Sequence, residues 1–450
     1  MGFRRWDSMA ENFPDGFLWG ASTASYQIEG AVREDGRGVS IWDSFSHTPG
    51  KTANGDTGDV ACDHYHRWRE DVALLKELGV GAYRFSTAWP RIQPTGRGAP
   101  NEKGLEFYDR LIDALLDAKI QPWLCLYHWD LPQALEDKGG WRNRDTAYWY
   151  RDYAAIVARR FGDRVPYWAT FNEPNIFTYR GLGHGDHAPG LQSREAVWRG
   201  IHTVNLAHGL AILALRERRA DLKLGNIYNL APREPATDRE QDRVACELMD
   251  AIMNRAFPDP QWLGKYPEPI ADDIKPYVQD GDLDIVKQKL DFFAFNHYSR
   301  ARIRWDKDDL FHIGYARIDA PVTAMGWPIT PDGLRMSLVE AKERWSGDTP
   351  VYILENGAAF DDAVDSDGRV HDPQRVTFLR DYLGALLDAA SAGVPVKGYF
   401  VWSLLDNFEW ALGYDRRFGI VYVDYATQKR IPKDSFYFYR ELANGAPLDR

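Results

Sequence analysis

The sequence predicts an α/β fold, a closed (β/α)8 TIM barrel with long loops after the strands, and three observations support this prediction. Short apolar runs rich in β-forming residues recur eight times along the 450-residue chain. Segments with helical spacing lie between them, an alternation typical of a parallel sheet. No Gly/Ser-rich linker, low-complexity tract or abrupt change in composition interrupts the chain, so one domain over residues 1–450 is favoured over two.

The eight predicted strands follow from the apolar runs, taken in chain order. They begin near Phe17, Gly81, Gln121, Tyr167, Lys223, Asp291, Val351 and Lys397. A bare βαβ unit needs only about 30 residues, and the spacing between these starts is larger throughout. The surplus in each unit must form loops, and long loops at one end of a barrel usually build a site.

The predicted helices carry apolar residues three and four positions apart. The clearest of them are 63–79, 104–118, 147–162, 331–345 and 375–393. An open doubly wound sheet is the alternative architecture. It is disfavoured because no GxGxxG follows the first strand and no P-loop lysine is present.

Composition narrows the range of partners. The net charge of −11 disfavours binding to a nucleic-acid backbone. The first 16 residues contain two arginines but no apolar signal-peptide core, and no later stretch reaches the ~20 apolar residues of a membrane span. Three widely spaced cysteines suit a reducing cytoplasm better than a disulfide framework or zinc site. We therefore expect a cytoplasmic protein without nucleic-acid or membrane partners. The sequence does not determine its oligomeric state.

Polar residues at the strand ends form the candidate site, because all strands of a parallel barrel end on one face. They are Gln27, Glu29, Arg84, His128, Trp129, Asp130, Asn172, Glu173, Asn226, Asn229, Asn296, His297, Tyr298, Glu355, Asn356, Trp402, Asp406 and Asn407. The set has neither a Ser/His/Asp pattern nor an HExxH or cysteine metal set. Amides and carboxylates form paired hydrogen bonds to neighbouring hydroxyls, and indole rings cover the apolar side of a sugar. The sequence therefore predicts a polyhydroxylated substrate.

Two glutamates stand out because each directly follows a predicted strand. Glu173 precedes Pro174, and Glu355 is followed closely by Gly357. For either residue alone, capping a loop or pairing with a base is an equally good explanation. Together they supply what glycosidic cleavage needs, a protonated carboxyl for the leaving group and an ionised one for the sugar.

The chain resembles glycoside hydrolase family 1, the β-glucosidases and their relatives, from Phe13 to about Tyr439. The motifs that carry the resemblance are FPDGFLWGASTASYQIEGA, YRFSTAWPRIQP, YHWDLPQALED, WATFNEP, HAPG, AFNHYS, ILENG and WSLLDNFEWALGYDRRFGIVYVDY. Their number, order and spacing make the match specific.

This resemblance implies hydrolysis of β-linked sugars with retained configuration. No metal or cofactor is expected, because the candidate site residues include no metal-ligand pattern. The resemblance assigns the acid/base to Glu173 in FNEP and the nucleophile to Glu355 in ENG, supported by Arg84, Asn296 and Tyr298. The substrate-binding positions that it implies are Gln27, His128, Asn172, Trp402, Glu409 and Trp410 for the sugar, Trp129 and Phe418 for the pocket wall, and Asn229 and Trp327 for the leaving-group side.

Within the family, Glu409 in the FEW motif indicates a free sugar, because a carboxylate there would repel a 6-phosphate. A β-glucosidase acting on β-glucosides and cello-oligosaccharides is the favoured interpretation. A β-galactosidase, β-fucosidase or transglycosylase on the same site is the enzymatic alternative. A carbohydrate-binding pseudoenzyme is the alternative without catalysis, although both glutamates are present.

Two positions depart from the family's usual residues, Leu354 before the nucleophile and His297 after Asn296. Because side chains alternate along a strand, we expect Leu354 to point to the helix layer when Glu355 points into the pocket. His297 is expected to fill space behind the pocket, with a contact to the substrate as the less favoured alternative. The pair His64 and His66 is expected to bind no metal, since residues two apart on a helix face different sides.

The sequence also predicts how the two carboxyl groups are set for their roles. Arg84 and Tyr298 are expected to keep Glu355 ionised, and nearby like charges to keep Glu173 protonated. Retention predicts carboxyl groups only ~5 to 5.5 Å apart. His184 and His187 are expected to contact the pocket mouth from their loop.

Overall fold

Eight parallel strands close into a barrel in the computed structural model, which describes residues 11–450. The strands of the described chain are, in order, β1 Leu18–Ser22, β2 Ala82–Ser86, β3 Gln121–Cys125, β4 Tyr167–Asn172, β5 Lys223–Asn229, β6 Arg233–Pro235, β7 Phe293–Asn296, β8 Ala301–Trp305, β9 Ile313–Ala316, β10 Val351–Asn356, β11 Val396–Trp402, β12 Val421–Asp424 and β13 Lys429–Pro432. The barrel order is β1-β11-β10-β7-β5-β4-β3-β2. The predicted closed barrel is confirmed, and the arginines near the amino terminus lie outside the described residues.

Helices connect successive barrel strands, as a parallel barrel requires. The α-helices are Ser25–Ile28, Ile41–Ser46, His64–Leu78, Trp89–Ile92, Glu102–Asp117, Gln133–Glu136, Asp145–Phe161, Pro174–Thr178, Arg194–Arg218, Glu240–Asp250, Glu268–Ile274, Asp282–Val286, Pro331–Ala341, Pro373–Ser391 and Asp434–Ala443. Short 3-10 turns are Ala53–Gly55, Gly140–Arg142, Lys275–Tyr277 and Trp410–Leu412, and π turns are Tyr179–His184, Ala251–Arg255, Asp259–Leu263 and Lys342–Ser346. In residues 11–450 no helix has the length and apolar character to cross a membrane.

The longest helix, Arg194–Arg218, was not among the predicted segments, and its burial explains the omission. The helix starts where the Ser193 side chain accepts a hydrogen bond from the backbone N–H of Ala196. Most of its residues are buried, including the polar His202 and His208. A helix buried on most sides has no clear polar face, so periodicity alone does not reveal it.

Two small sheets outside the barrel were also not predicted. One joins β6, β8 and β9, and the other is the β12–β13 hairpin. The three-stranded sheet follows the ends of β5 and β7 and contributes residues to the cavity described below.

A plug of side chains fills the barrel beneath its open end. The Trp123 ring lies 4.8 Å from Tyr352, 5.3 Å from Phe400 and 5.4 Å from Phe292 between ring centroids. A second apolar layer packs between the barrel and the helices. The strands continue past the plug, so the polar residues at their carboxyl ends surround the space above it.

Leu354 belongs to this plug, which corrects the expectation that it faces the helix layer. It is fully buried in the cluster that contains Tyr352 and Phe400. The pairing of β10 with β7 shifts between Ile353 and Glu355. Strict alternation fails at such a bulge, so Leu354 stays inside the barrel while Glu355 reaches the cavity.

Candidate active site

Glu173 stands at the carboxyl end of β4, where the chain turns into the short helix that begins at Pro174. Its backbone is left-handed, with φ of 50°, a conformation that a residue with a side chain adopts only at a cost. The carboxyl group is buried, and its Oε1 accepts hydrogen bonds of 2.8 Å from Nδ2 of Asn229 and Nδ2 of Asn296. Neutral donors from two neighbouring strands therefore hold this carboxyl group.

Glu355 ends β10 and has a charged neighbour instead. Its Oε1 is paired with the guanidinium of Arg84, and its Oε2 accepts a hydrogen bond of 2.6 Å from the Tyr298 hydroxyl. Gly357, two residues on, leaves no room for a side chain, since an added Cβ would lie 1.8 Å from the Trp402 carbonyl oxygen. The backbone after Glu355 thus packs directly against the end of β11.

The two carboxyl groups consequently have different acidities. Burial, with a smaller contribution from the negative charge of Glu355, raises the pKa of Glu173 from 4.5 to about 8. Burial also raises the pKa of Glu355, but the charge of Arg84 and the hydrogen bond from Tyr298 oppose the rise. Like charge was expected to dominate at Glu173, whereas burial is the larger cause because the group is shielded from solvent.

Asn296, expected to support Glu355, lies between the two glutamates. Its Nδ2 donates to Glu173 Oε1 and, at 3.1 Å, to Oδ1 of Asn172. A hydrogen bond from Asn296 also lowers the pKa of Glu355. The amide therefore binds the carboxyl group assigned as the acid and also influences the acidity of the nucleophile.

A chain of polar contacts runs behind Glu355. Arg84 contacts the Nδ1 of His128 at 3.2 Å, and the Nε2 of His128 lies 3.1 Å from the amide of Asn172. Burial and the charge of Arg84 hold the pKa of His128 well below 6.5, so this histidine is neutral at physiological pH. The chain fixes the direction of the guanidinium that faces Glu355.

Aromatic rings form the wall of the cavity. Trp129 packs against Trp410 with ring centroids 4.5 Å apart, and its indole N–H donates to the Asn172 carbonyl at 2.9 Å. Tyr298 and Phe418 pack around Trp327, at 5.2 and 6.1 Å between centroids. These flat apolar surfaces suit the C–H faces of a sugar ring.

Three of the predicted catalytic and substrate-binding residues, Gln27, Asn296 and Glu409, each have one buried oxygen without a hydrogen-bond partner among the described residues. The atoms are Oε1 of Gln27, Oδ1 of Asn296 and Oε2 of Glu409. Gln27 is oriented by donating from Nε2 to Asn407 Oδ1 at 3.0 Å and the Phe408 carbonyl at 2.9 Å. Burial, then the charges of Glu355 and Glu173, raise the pKa of Glu409 to about 8. Free oxygens of this kind can accept hydrogen bonds from ligand hydroxyls.

The cavity has a volume of about 820 Å³, and most of the predicted site residues line it. Those lining it are His128, Trp129, Glu173, Asn229, Tyr298, Trp327, Glu355, Trp402, Glu409, Trp410 and Phe418. The others, Gln27, Arg84, Asn172 and Asn296, are fully buried. Arg84, Asn172 and Asn296 contact residues of this set, and Gln27 donates to the Phe408 carbonyl, next in sequence to Glu409. His184 and His187 also line the cavity, as expected.

His297 lies behind the cavity, as expected. It is fully buried, and its Nδ1 lies 2.9 Å from the Leu230 carbonyl. His64 pairs with Asp71 at 2.8 Å. Within residues 11–450 no group of three or more His, Cys, Asp or Glu has the arrangement of a metal site.

The outer part of the cavity contains residues that were not predicted. They include Arg180, Arg233, Arg302, Tyr315 and Val322, most of them on or next to the β6–β8–β9 sheet. A usable signal was present, because ARIRW, which follows AFNHYS after Arg300, alternates apolar and charged residues as a strand does.

The chemistry available here follows from the two carboxyl groups. A buried carboxyl group with a raised pKa can donate a proton near neutral pH, and a carboxylate paired with arginine can attack an electrophilic carbon. Both groups face a cavity walled by indole rings and edged by free hydrogen-bond acceptors.

Comparison with known proteins gives matches over almost the whole chain. The sequence profile of Glycosyl hydrolase family 1 matches residues 9–446. Beta-glucosidase A of Thermotoga maritima is 48% identical over 443 residues, which are 98% of this chain and 99% of that protein. The 1,4-beta-D-glucan glucohydrolase of Thermotoga neapolitana is 48% identical over 436 residues, which are 96% of this chain and 98% of that protein.

A solved structure is equally similar. The beta-glucosidase from Thermotoga maritima in complex with deoxynojirimycin has a TM-score of 0.92 at 48% identity, covering 96% of this chain and 99% of that one.

Proposed function

The chain belongs to glycosyl hydrolase family 1, and we propose that it is a retaining β-glucosidase that removes terminal non-reducing β-D-glucosyl residues from β-glucosides and cello-oligosaccharides. The observation that carries the proposal is the contrast between the two carboxyl groups. Glu173 has a pKa of about 8 among amide donors, whereas Glu355 is held by Arg84 and Tyr298. The names of the Thermotoga relatives support glucose as the sugar.

In the first step, a carboxylate oxygen of Glu355 attacks the anomeric carbon and forms an ester bond to it. The bond from that carbon to the leaving oxygen breaks, and the proton of Glu173 passes to this oxygen. The leaving group departs as a neutral alcohol or phenol.

In the second step, Glu173 acts as the base. Esterification removes the negative charge of Glu355, which is one cause of the raised pKa of Glu173. The pKa of Glu173 therefore falls. Water then attacks the anomeric carbon, its proton passes to Glu173, and the Glu355 carboxylate is released. Two inversions give retention, for which we expect carboxyl groups ~5 to 5.5 Å apart.

Binding of the sugar is assigned to the remaining residues around the inner cavity. The free oxygens of Gln27 and Glu409 are proposed to accept hydrogen bonds from sugar hydroxyls. His128 and Asn172 are proposed to bind further hydroxyls of the same sugar. Trp402 and Trp410 cover the ring, Trp129 and Phe418 complete the wall, and Asn229 and Trp327 lie toward the leaving group. The carboxyl group of Glu409 favours a free 6-hydroxyl over a phosphate.

The cellular compartment, the domain organisation and the need for a cofactor are also part of the proposal. The three cysteines, Cys62, Cys125 and Cys246, are free and buried, which suits a reducing cytoplasm. We propose that the chain acts as one catalytic domain over residues 1–450 in the breakdown of cello-oligosaccharides, and that both steps proceed without a metal or cofactor.

The test is a panel of 4-nitrophenyl β-glycosides compared by kcat/KM. We expect the glucoside to be hydrolysed best and the β-configured sugar to be released first, as read by NMR of the anomeric proton. A 2-deoxy-2-fluoro glucoside should label the peptide that contains Glu355. Highest activity on the 6-phosphoglucoside, or α-configured product, would contradict the proposal.

The alternatives give different results in the same panel. A β-galactosidase or β-fucosidase would prefer those sugars, and a transglycosylase would form glycoside when alcohol is added. Glu355→Gln is expected to bind the glycosides without turnover. The same behaviour in the wild type would identify a carbohydrate-binding pseudoenzyme.

A further inference from the structure

The outer cavity is rich in arginine although the chain as a whole is acidic, with a net charge of −11. Arginines that line it are Arg180, Arg233, Arg300, Arg302 and Arg317. Besides the three inner glutamates, the one carboxylate among the described lining residues is Asp186. A neutral sugar or alcohol leaving group does not require this concentration of positive charge.

Most of these arginines have carboxylate partners. Arg180 pairs with Asp186 at 2.5 Å. Arg300 and Arg302 share Glu234, at 2.9 and 2.7 Å. Their charges are thus largely neutralised within the protein.

Arg233 differs from these arginines in its contacts. Its Nη1 donates to the Ala231 carbonyl at 2.8 Å and to the side-chain oxygen of Asn254, both neutral acceptors. Its Nε is buried without a hydrogen-bond partner among the described residues. Asp250 and Glu340 lie near enough to influence its pKa, but no carboxylate oxygen in residues 11–450 is within 4.0 Å of its guanidinium. The cavity therefore holds a guanidinium fixed by neutral groups and free to pair with an anion.

The position of Arg233 is on the side where the leaving group departs. Asn229, at the end of β5, donates to Glu173, the group that protonates the leaving oxygen. From there the chain runs through Ala231 to Arg233 at the start of β6, and all three residues line the cavity. An anion on the leaving group, rather than on the sugar, would meet this guanidinium.

The same part of the cavity exposes flat and apolar surface. Tyr315 is 61% and Val322 57% exposed, and both line the cavity with Met325 and Trp327. Large exposed apolar residues grouped at a cavity mouth indicate a binding surface. An aromatic ring on the leaving group would cover this apolar surface.

We propose that Arg233 contributes to leaving-group specificity by pairing with a carboxylate, so that among aryl β-glucosides those whose ring carries a carboxylate are preferred. This inference rests on the proposed β-glucosidase function. The ring would lie against Tyr315 and Trp327 while the guanidinium holds the carboxylate.

Two isosteric probes test the proposal, 4-carboxyphenyl β-glucoside and its neutral 4-carbamoyl analogue. The preference for the carboxylate is kcat/KM of the carboxyphenyl probe divided by kcat/KM of the carbamoyl probe. The readout is this preference in the wild type divided by the preference in each variant, which cancels the intrinsic reactivity of the two leaving groups. We expect Arg233→Gln to lower the preference for the carboxylate about tenfold, the usual effect of losing a hydrogen bond to a charged group. Arg233→Lys keeps the charge but loses the planar fork of the guanidinium, so its preference for the carboxylate should lie between those of the wild type and Arg233→Gln.

Arg219→Gln is the matched control. Arg219 is exposed, pairs with Asp221 and is not among the cavity-lining residues. It makes the same change in net charge and should leave the ratio unchanged. If Arg233→Gln does not fold, as judged by thermal unfolding, the wild type still tests the proposal, because its preference for the carboxylate should fall as salt is added.

The outcomes separate the two proposals. Turnover of both probes with a ratio that a folded Arg233→Gln variant leaves unaltered would overturn this inference alone, and so would a wild-type preference that salt leaves unaltered. No turnover of either probe by the wild type would overturn the proposed function and this inference together.

Discussion

The buried proton of Glu173 leads to a prediction about how activity depends on both pH and leaving group. The perturbation is a rise in pH through the pKa of Glu173, and Glu173→Gln imitates its effect at every pH. A poor leaving group needs the proton that Glu173 donates, whereas a good one departs without it. The two kinds of substrate should therefore respond differently to pH.

The magnitude follows from the environment of the carboxyl group. A pKa of about 8 instead of 4.5 corresponds to about 5 kcal/mol against ionisation. At pH 7 the group is then about 90% protonated, compared with about 0.3% for an unperturbed glutamate. The raised pKa means that the acid is present below pH 8 and is lost as pH rises through that value.

The assay compares kcat/KM for phenyl β-glucoside with kcat/KM for the 2,4-dinitrophenyl glucoside between pH 6 and 9.5. We expect their ratio to be constant below about pH 7.5 and to fall about tenfold for each pH increment of one above 8. Because both substrates carry the same sugar, ionisation of Glu409 affects both rates equally. Glu173→Gln should lower the phenyl rate by about 10²- to 10⁴-fold and make the ratio independent of pH.

Asp381→Asn is the control, since it is the same kind of change at an exposed carboxyl group that is not among the cavity-lining residues and also has a raised pKa. It should keep the wild-type profile. A ratio that stays flat to pH 9.5 in the wild type, or that still depends on pH in Glu173→Gln, would refute the assignment of Glu173 as the acid.

Three further results are expected. Tyr298→Phe removes the 2.6 Å hydrogen bond to Glu355, which should raise the pKa of that carboxylate. The acidic limb of the pH profile of kcat/KM should therefore move to higher pH, and the maximum of kcat/KM should fall about ten- to hundredfold. An acidic limb at the wild-type pH would contradict this. Gly357→Ala places a Cβ 1.8 Å from the Trp402 carbonyl oxygen and should lower the free energy of unfolding by about 1 to 3 kcal/mol. Denaturant unfolding measures this change, and an unchanged midpoint would contradict it. Prolonged dialysis against EDTA should leave kcat/KM unchanged, because carboxyl groups carry both chemical steps; activity restored only by added metal would disprove this.

The structure was predictable from sequence where local patterns carry the information. Each barrel strand lies within two residues of its predicted start, because apolar β-forming runs between helical segments are a local signal. Glu173 and Glu355 were identified for the same reason, as carboxyl groups directly after such runs. The helix Arg194–Arg218 was not, because burial on most sides removes the periodicity on which the prediction depends.

The amino-acid sequence by itself therefore determined the barrel, the two glutamates and the family, since these depend on short segments and their order. The tertiary structure alone decided that Leu354 stays inside the barrel, that burial rather than like charge is the main cause of the raised pKa of Glu173, and that Arg233 faces the cavity without a carboxylate partner within 4.0 Å in residues 11–450. Each of these depends on a bulge, on solvent exclusion or on contacts between distant parts of the chain. Such properties arise only when the strands close and the loops pack, so no local pattern encodes them.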